Sequence, residues 1–169
     1  MHNSYVSLLW FAALGSALTA GIFFTFSTFV MQALGQQPPA AGIAAMQAIN
    51  ITVINPWFMA AFFGPALVGI GVGIIQWQQL EQPMHQPTVL FWIAGTLLYV
   101  VGTIGVTVLG NVPLNDALAV VSPQSAEGAT LWTRYLSDWT VWNHVRTVAA
   151  AAAAVLFTLA LVQRSGLPS

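Results

Sequence analysis

Cysteine and lysine are both absent from this chain, and only seven of its 169 side chains carry a formal charge. Without cysteine there are no disulfide staples, no thiol redox chemistry and no thiolate-held iron–sulfur cluster. Without lysine, and with a formal net charge of −1, there is no basic face for nucleic acid and no polybasic segment for anionic headgroups. The shortage of charge excludes still more. A chain that is 57% hydrophobic and 4% charged cannot present the mixed-charge exterior that a soluble domain needs. Lipid is therefore its solvent. Apolar stretches of about 20 residues, enough to cross ~30 Å of hydrocarbon as a helix, recur along it.

The expected fold is all-α: one transmembrane domain over residues 1–169, an integral membrane four-helix bundle with spans at about 5–34, 57–77, 88–110 and 142–162. The first apolar run lacks a cationic start and is too long for a secretory signal, so it reads as a retained span. Gly35-Gln36-Gln37-Pro38-Pro39 ends it, because proline offers no amide donor. Between spans 1 and 2, residues 39–55 carry Met46, Ile49, Asn50 and Val53 at helical spacing, which predicts a short interfacial helix closed by Asn55-Pro56. Span 2 holds Gly64-Pro65, a kink signal, and Gly69, Gly71 and Gly73, a face for close helix contact. Span 3 follows a loop with Glu81, Pro83, His85 and Pro87 and carries Gly95, Gly102 and Gly105. Span 4 contains the alanine run Ala149–Ala154, thin enough for the middle of a bundle, and is closed by Arg164. An even number of spans puts both termini on one side. Arg164 then places the termini and the Glu81 loop in the cytoplasm of a plasma (inner) membrane protein.

Five of the seven charges, Asp116, Glu127, Arg134, Asp138 and Arg146, fall in one short stretch. It forms a polar cap between spans 3 and 4. Whatever the orientation, Asn50, Asn55, residues 110–116 and residues 139–146 belong to the same membrane face. Tyr135, Trp139, Asn143 and Arg146 are spaced four, four and three apart, so they line one side of a helix, with Trp142 beside them. An arginine one turn inside a span needs a counter-ion or a wet cavity. The expected partner is Asp116, carried back over the bundle mouth by a turn at Gly110-Asn111-Val112-Pro113-Leu114-Asn115. Arg134 and Asp138 form an ordinary exposed pair at four residues' separation. His144 is the candidate base, since imidazole titrates near ~6.5. Each of these has a bland alternative: a pair that only pins helix to loop, interfacial tryptophans, a histidine satisfied by a carbonyl.

Gly21-Ile22-Phe23-Phe24-Thr25-Phe26, Asn55-Pro56, the Gly110–Asn115 segment and Trp139-x-x-Trp142-Asn143-His144-Val145-Arg146-Thr147 together resemble the anthrone oxygenase family of small membrane proteins. The resemblance covers nearly the whole chain. It implies insertion of oxygen from O2 into a polycyclic aromatic anthrone without flavin, haem or metal. An anthrone's acidic methylene gives a delocalised carbanion that can pass an electron to O2 directly. In that chemistry His144 is the base, Arg146 and Asn143 the oxyanion donors and Asp116 the group orienting Arg146. Trp139, Trp142 and Tyr135 are the ring-binding walls, and Asn111, Asn115 and Asn55 complete the rim. Three other readings stay open: a membrane binding or export protein for apolar aromatics, an oxidoreductase with a single haem or metal at His144, and a bundle whose glycine faces drive homo-oligomer formation. No two histidines have the spacing of a local metal site.

Overall fold

The computed structural model describes residues 2–78 and 87–165, with side chains from 6–75 and 87–163. The expectations placed on Glu81, Pro83 and His85 and on the Arg164 side chain lie outside the described residues. Four helices long and apolar enough to cross a bilayer, Val6–Gly35, Pro56–Ile75, Pro87–Ala119 and Ala126–Gln163, are found among those described. The chain is an integral membrane protein. Helix α1 (His2–Thr25) runs through a π turn (Phe26–Val30) into α2 (Met31–Gly35). The expected short helix is α3 (Pro39–Thr52), and α4 (Pro56–Gln78) follows. Helix α5 (Pro87–Tyr99) passes through two further π turns (Val100–Gly105 and Thr107–Asn111) into α6 (Val112–Ala119), and α7 (Ala126–Ser165) completes the chain.

Two helix starts, those of α4 and α7, follow capping chemistry. Asn55 accepts the Phe58 amide at 3.0 Å with Pro56 opening α4, and the Ser125 hydroxyl accepts the Gly128 amide at 2.9 Å at the start of α7. The spans then pack as an antiparallel ring in which α4 and α7 each touch α1 and α5 from opposite corners. Small residues set the spacing. A Cβ on Gly69 would lie 2.6 Å from the Thr96 hydroxyl, one on Gly102 2.6 Å from the Ala149 Cβ, and one on Gly95 3.0 Å from the Phe157 ring. Among the described residues a Cβ on Gly71 or Gly73 meets nothing within 4 Å, so the expected glycine face of span 2 reduces there to Gly69.

Two apolar cores result. One, within the membrane ring, includes Leu9, Ala13, Trp92, Tyr99, Ala153 and Phe157. The other joins α2, α3, α6 and the first half of α7 around Met31, Ile43, Met46, Leu118, Trp132 and Tyr135. Gln47 fastens this second core by donating to the carbonyls of Leu118 and Val121 at 2.8 and 3.1 Å. Helix α7 has 40 residues. At 1.5 Å per residue that is about twice the hydrocarbon thickness, so one end stands outside. It is the end bearing Glu127, Arg134 and Asp138.

The cap is therefore built of helices joined by a short reversal, which corrects one expectation and extends another. The last helix, expected to carry Tyr135–Arg146 ahead of a span at about 142–162, begins as far back as Ala126, and Gly110–Asn115 is no turn. The chain reverses instead over residues 120–125. Pro113 is tolerated because it lies in the first turn of α6, directly after a π turn has interrupted the ordinary hydrogen-bond ladder.

Candidate functional site

Buried polar side chains lead from one core to the other: Ser16, Thr19, Thr103, Asn111, Asn143, Arg146 and Thr147. Arg146 is the centre of the upper group and is 6% exposed. Its Nε donates to Asn143 Oδ1 at 3.0 Å and its Nη1 to Thr107 Oγ1 at 3.3 Å. The guanidinium carbon stands 3.9 Å from the Phe23 ring centroid and 4.9 Å from that of Trp139. Both aromatic faces attract the cation. Its remaining N–H groups have no protein acceptor among the described residues.

Asn143 holds the guanidinium in place and is itself held from behind. Its Nδ2 donates to the Phe23 carbonyl at 2.8 Å and to Ser27 Oγ at 2.7 Å. Ser27 lies 3.1 Å from the Thr147 hydroxyl, which donates to the Asn143 carbonyl at 2.6 Å. Above this, Asn115 Oδ1 accepts from the Tyr135 hydroxyl at 2.8 Å and from the Trp139 indole at 2.9 Å, fixing both rings. Asn111 donates to the Trp139 carbonyl at 3.1 Å. Its Oδ1 and the Thr103 hydroxyl are buried without a partner among the described residues. An unsatisfied buried polar atom costs roughly 1–3 kcal/mol and calls for a reason.

All three π turns border this layer. The first carries Ser27, the second Thr103, the third Thr107 and Asn111. A π turn adds a residue to the helical circuit, so side chains beyond it face a direction that α periodicity would not give. Such turns are frequent at functional sites.

The stripe Tyr135, Trp139, Asn143 and Arg146 comes together as its spacing implied, and Asn111 and Asn115 join it. Four other residues do not. Asp116 is exposed, and Arg146 has no carboxylate within ion-pairing distance among the described residues, where Arg134–Asp138 at 3.0 Å is the ion pair. Because α6 is a helix, the residue after the inward-facing Asn115 turns about 100° away. His144 is exposed for a like reason, lying two residues and so about 200° from Arg146. Asn55 serves α4 as its cap and donates to the Thr52 carbonyl at 3.0 Å. Trp142 is 43% exposed and lies over Gly110 rather than beside Trp139. Phe23, Ser27, Thr103 and Thr107 are site residues that spacing alone did not reveal. Their signal is weak, since hydroxyls and rings are common in apolar spans, and the three hydroxyl residues lie in π turns that α periodicity does not describe.

No group of three or more His, Asp or Glu side chains stands together among the described residues. A family model described as anthrone oxygenase matches residues 55–156, more than half of the chain, taking in the second and third π turns, α6 and the Arg146 stripe but not α1. No curated protein and no solved structure gives a significant match.

Proposed function

Because this chain belongs to the anthrone oxygenase family, we propose that it is a membrane oxygenase which converts an anthrone-like polycyclic ketone and O2 to the corresponding quinone and water, with Arg146 holding the substrate's enolate oxygen. The family is cofactor-independent, so the burden falls on binding and electrostatics. One observation carries the reading: a buried guanidinium between two aromatic faces with, among the described residues, donors to spare and no carboxylate beside it. A structural arginine at this depth is ordinarily paired with an anion or with backbone carbonyls, and Arg146 has neither among the described residues. Here the anion is the substrate.

The chemistry asks little else. An anthrone enolises to an aromatic phenol-like tautomer, and its anion is the species that reacts with O2. A unit positive charge about 4 Å from the enolate oxygen stabilises it by about 4 kcal/mol at an effective dielectric near 20, roughly 10³-fold in ionisation. With that help the proton leaves to water, so the position of His144 outside the cluster is no obstacle. The carbanion centre gives one electron to O2, and the resulting radical pair joins through a new C–O bond. The peroxide takes up a proton, and loss of the remaining C–H proton with cleavage of the O–O bond leaves the second carbonyl and releases one oxygen as water. Trp139 and Phe23 hold the rings, Tyr135 supports Trp139, and Asn115 sets the angles of both indole and phenol. Arg164 at the far end of span 4 favours cytoplasmic termini, which puts the cap on the opposite face.

The test is oxygen uptake by detergent-purified protein with a hydroxylated anthrone under ¹⁸O2. Protein-dependent uptake above autoxidation, with one ¹⁸O in the quinone and one in water, is expected. Ligand binding without uptake would turn the same site into that of a binding or export protein.

A further inference from the structure

Trp142 and Arg146 are one helical turn apart on α7, yet one is half-buried and the other enclosed. The Trp142 ring lies against Gly110: a Cβ there would sit 2.7 Å from its Cγ and Cδ2 and 3.1 Å from its Cε3. Gly110 is buried, and it shares its π turn with Thr107, the residue to which Arg146 Nη1 donates. The seam between this π turn and α7 is edged by exposed aliphatic side chains, Val108 and Leu109 on one side and Val141, Val145 and Val148 on the other. In an integral membrane protein such a seam faces lipid. Among the described residues Trp142 is the aromatic side chain on this seam, packed against the π turn whose Thr107 accepts from Arg146.

Two indoles of the bundle are anchored by hydrogen bonds. The Trp92 indole donates to the Gly69 carbonyl at 3.0 Å and that of Trp139 to Asn115 at 2.9 Å. The Trp142 indole has no hydrogen-bond partner among the described residues, so packing, including that on Gly110, holds it without a polar anchor. Side-chain rotation at a partly exposed position needs no backbone change.

We infer that Trp142 on Gly110 is a lateral gate through which a flat apolar aromatic molecule passes from the bilayer to Arg146. The inference rests on the oxygenase reading for the identity of the molecule, but not for the existence of the path. A polycyclic ketone partitions into hydrocarbon, so entry from the membrane places it at the guanidinium without crossing the polar cap. The glycine is what makes the gate: any larger residue at position 110 displaces the ring that closes the seam.

The absence of cysteine makes a direct test available. Thr107→Cys, alone and combined with Trp142→Ala, is labelled in proteoliposomes by an uncharged aromatic maleimide confined to the bilayer and by a sulfonated, water-confined one. The bilayer-confined reagent is expected to label the double variant at least about tenfold faster than the single one, while the water-confined reagent changes by less than about twofold. Equal bilayer-confined rates in the two, or faster labelling of the single variant from water, would overturn the gate. Should Trp142→Ala fail to fold, Gly110→Ala, which pushes the ring outward, is read in the same way. Oxygen uptake is measured separately, so loss of the oxygenase reading leaves the labelling result to stand or fall alone.

Discussion

Replacing Arg146 by methionine separates what this residue does for stability from what it does for a ligand. In the folded protein the guanidinium gains two hydrogen bonds to side-chain oxygens and two ring faces. Charged hydrogen bonds contribute about 1.5–3 kcal/mol each and cation–π contacts about 0.5–2 each, some 4–10 kcal/mol in all. Against this stands the desolvation of an unpaired ion, several kcal/mol even after relaxation. The two sums are of the same order. Methionine fills a similar volume, so the variant is expected to melt within about 2 kcal/mol of the parent, followed by tryptophan fluorescence in detergent. Activity is another matter. Loss of about 4 kcal/mol of enolate stabilisation lowers oxygen uptake by roughly 10³-fold at equal substrate occupancy. Lysine, which keeps the charge but not the planar fork, retains part of the rate. A fall of less than about tenfold in Arg146→Met would refute the electrostatic argument. So would a collapse in melting temperature large enough to explain the lost activity, because Arg146 would then be a structural residue.

The other expectations are simpler to state. His144→Ala leaves the oxygen-uptake rate within about twofold and the melt unchanged, since the ring is exposed and turned away from the cluster; a loss above tenfold would restore His144 as the base. Gly42→Ala lowers stability by about 1–3 kcal/mol in the thermal melt, because the added methyl meets the Trp132 ring at 2.8 Å and the Leu34 carbonyl at 2.9 Å, neither of them free to move. Asp138→Asn changes stability by less than about 0.5 kcal/mol, the Arg134–Asp138 pair being largely solvated and screened by salt. A larger effect would mean that the cap is packed against something beyond this chain.

Composition placed the protein in a membrane, and the apolar runs of about 20 residues made its spans helical, because hydrocarbon tolerates no unpaired backbone and a helix satisfies its own. The number of spans, the breaks at Pro38-Pro39 and Asn55-Pro56, the small helix between them and the Tyr135–Arg146 stripe were likewise legible, each resting on local chemistry or on regular α periodicity. The tertiary structure decided the rest. It extended the last helix back to Ala126 and carried the third through Pro113, since a π turn absorbs a proline that sequence rules read as a stop. Those same turns aimed Ser27, Thr103, Thr107 and Asn111 inward, and the helical course of α6 and α7 turned Asp116 and His144 outward. A charge pattern shows that Arg146 needs company. Which groups supply it depends on the register between helices far apart in the chain, and here the company is two rings, an amide and a hydroxyl in place of an acid.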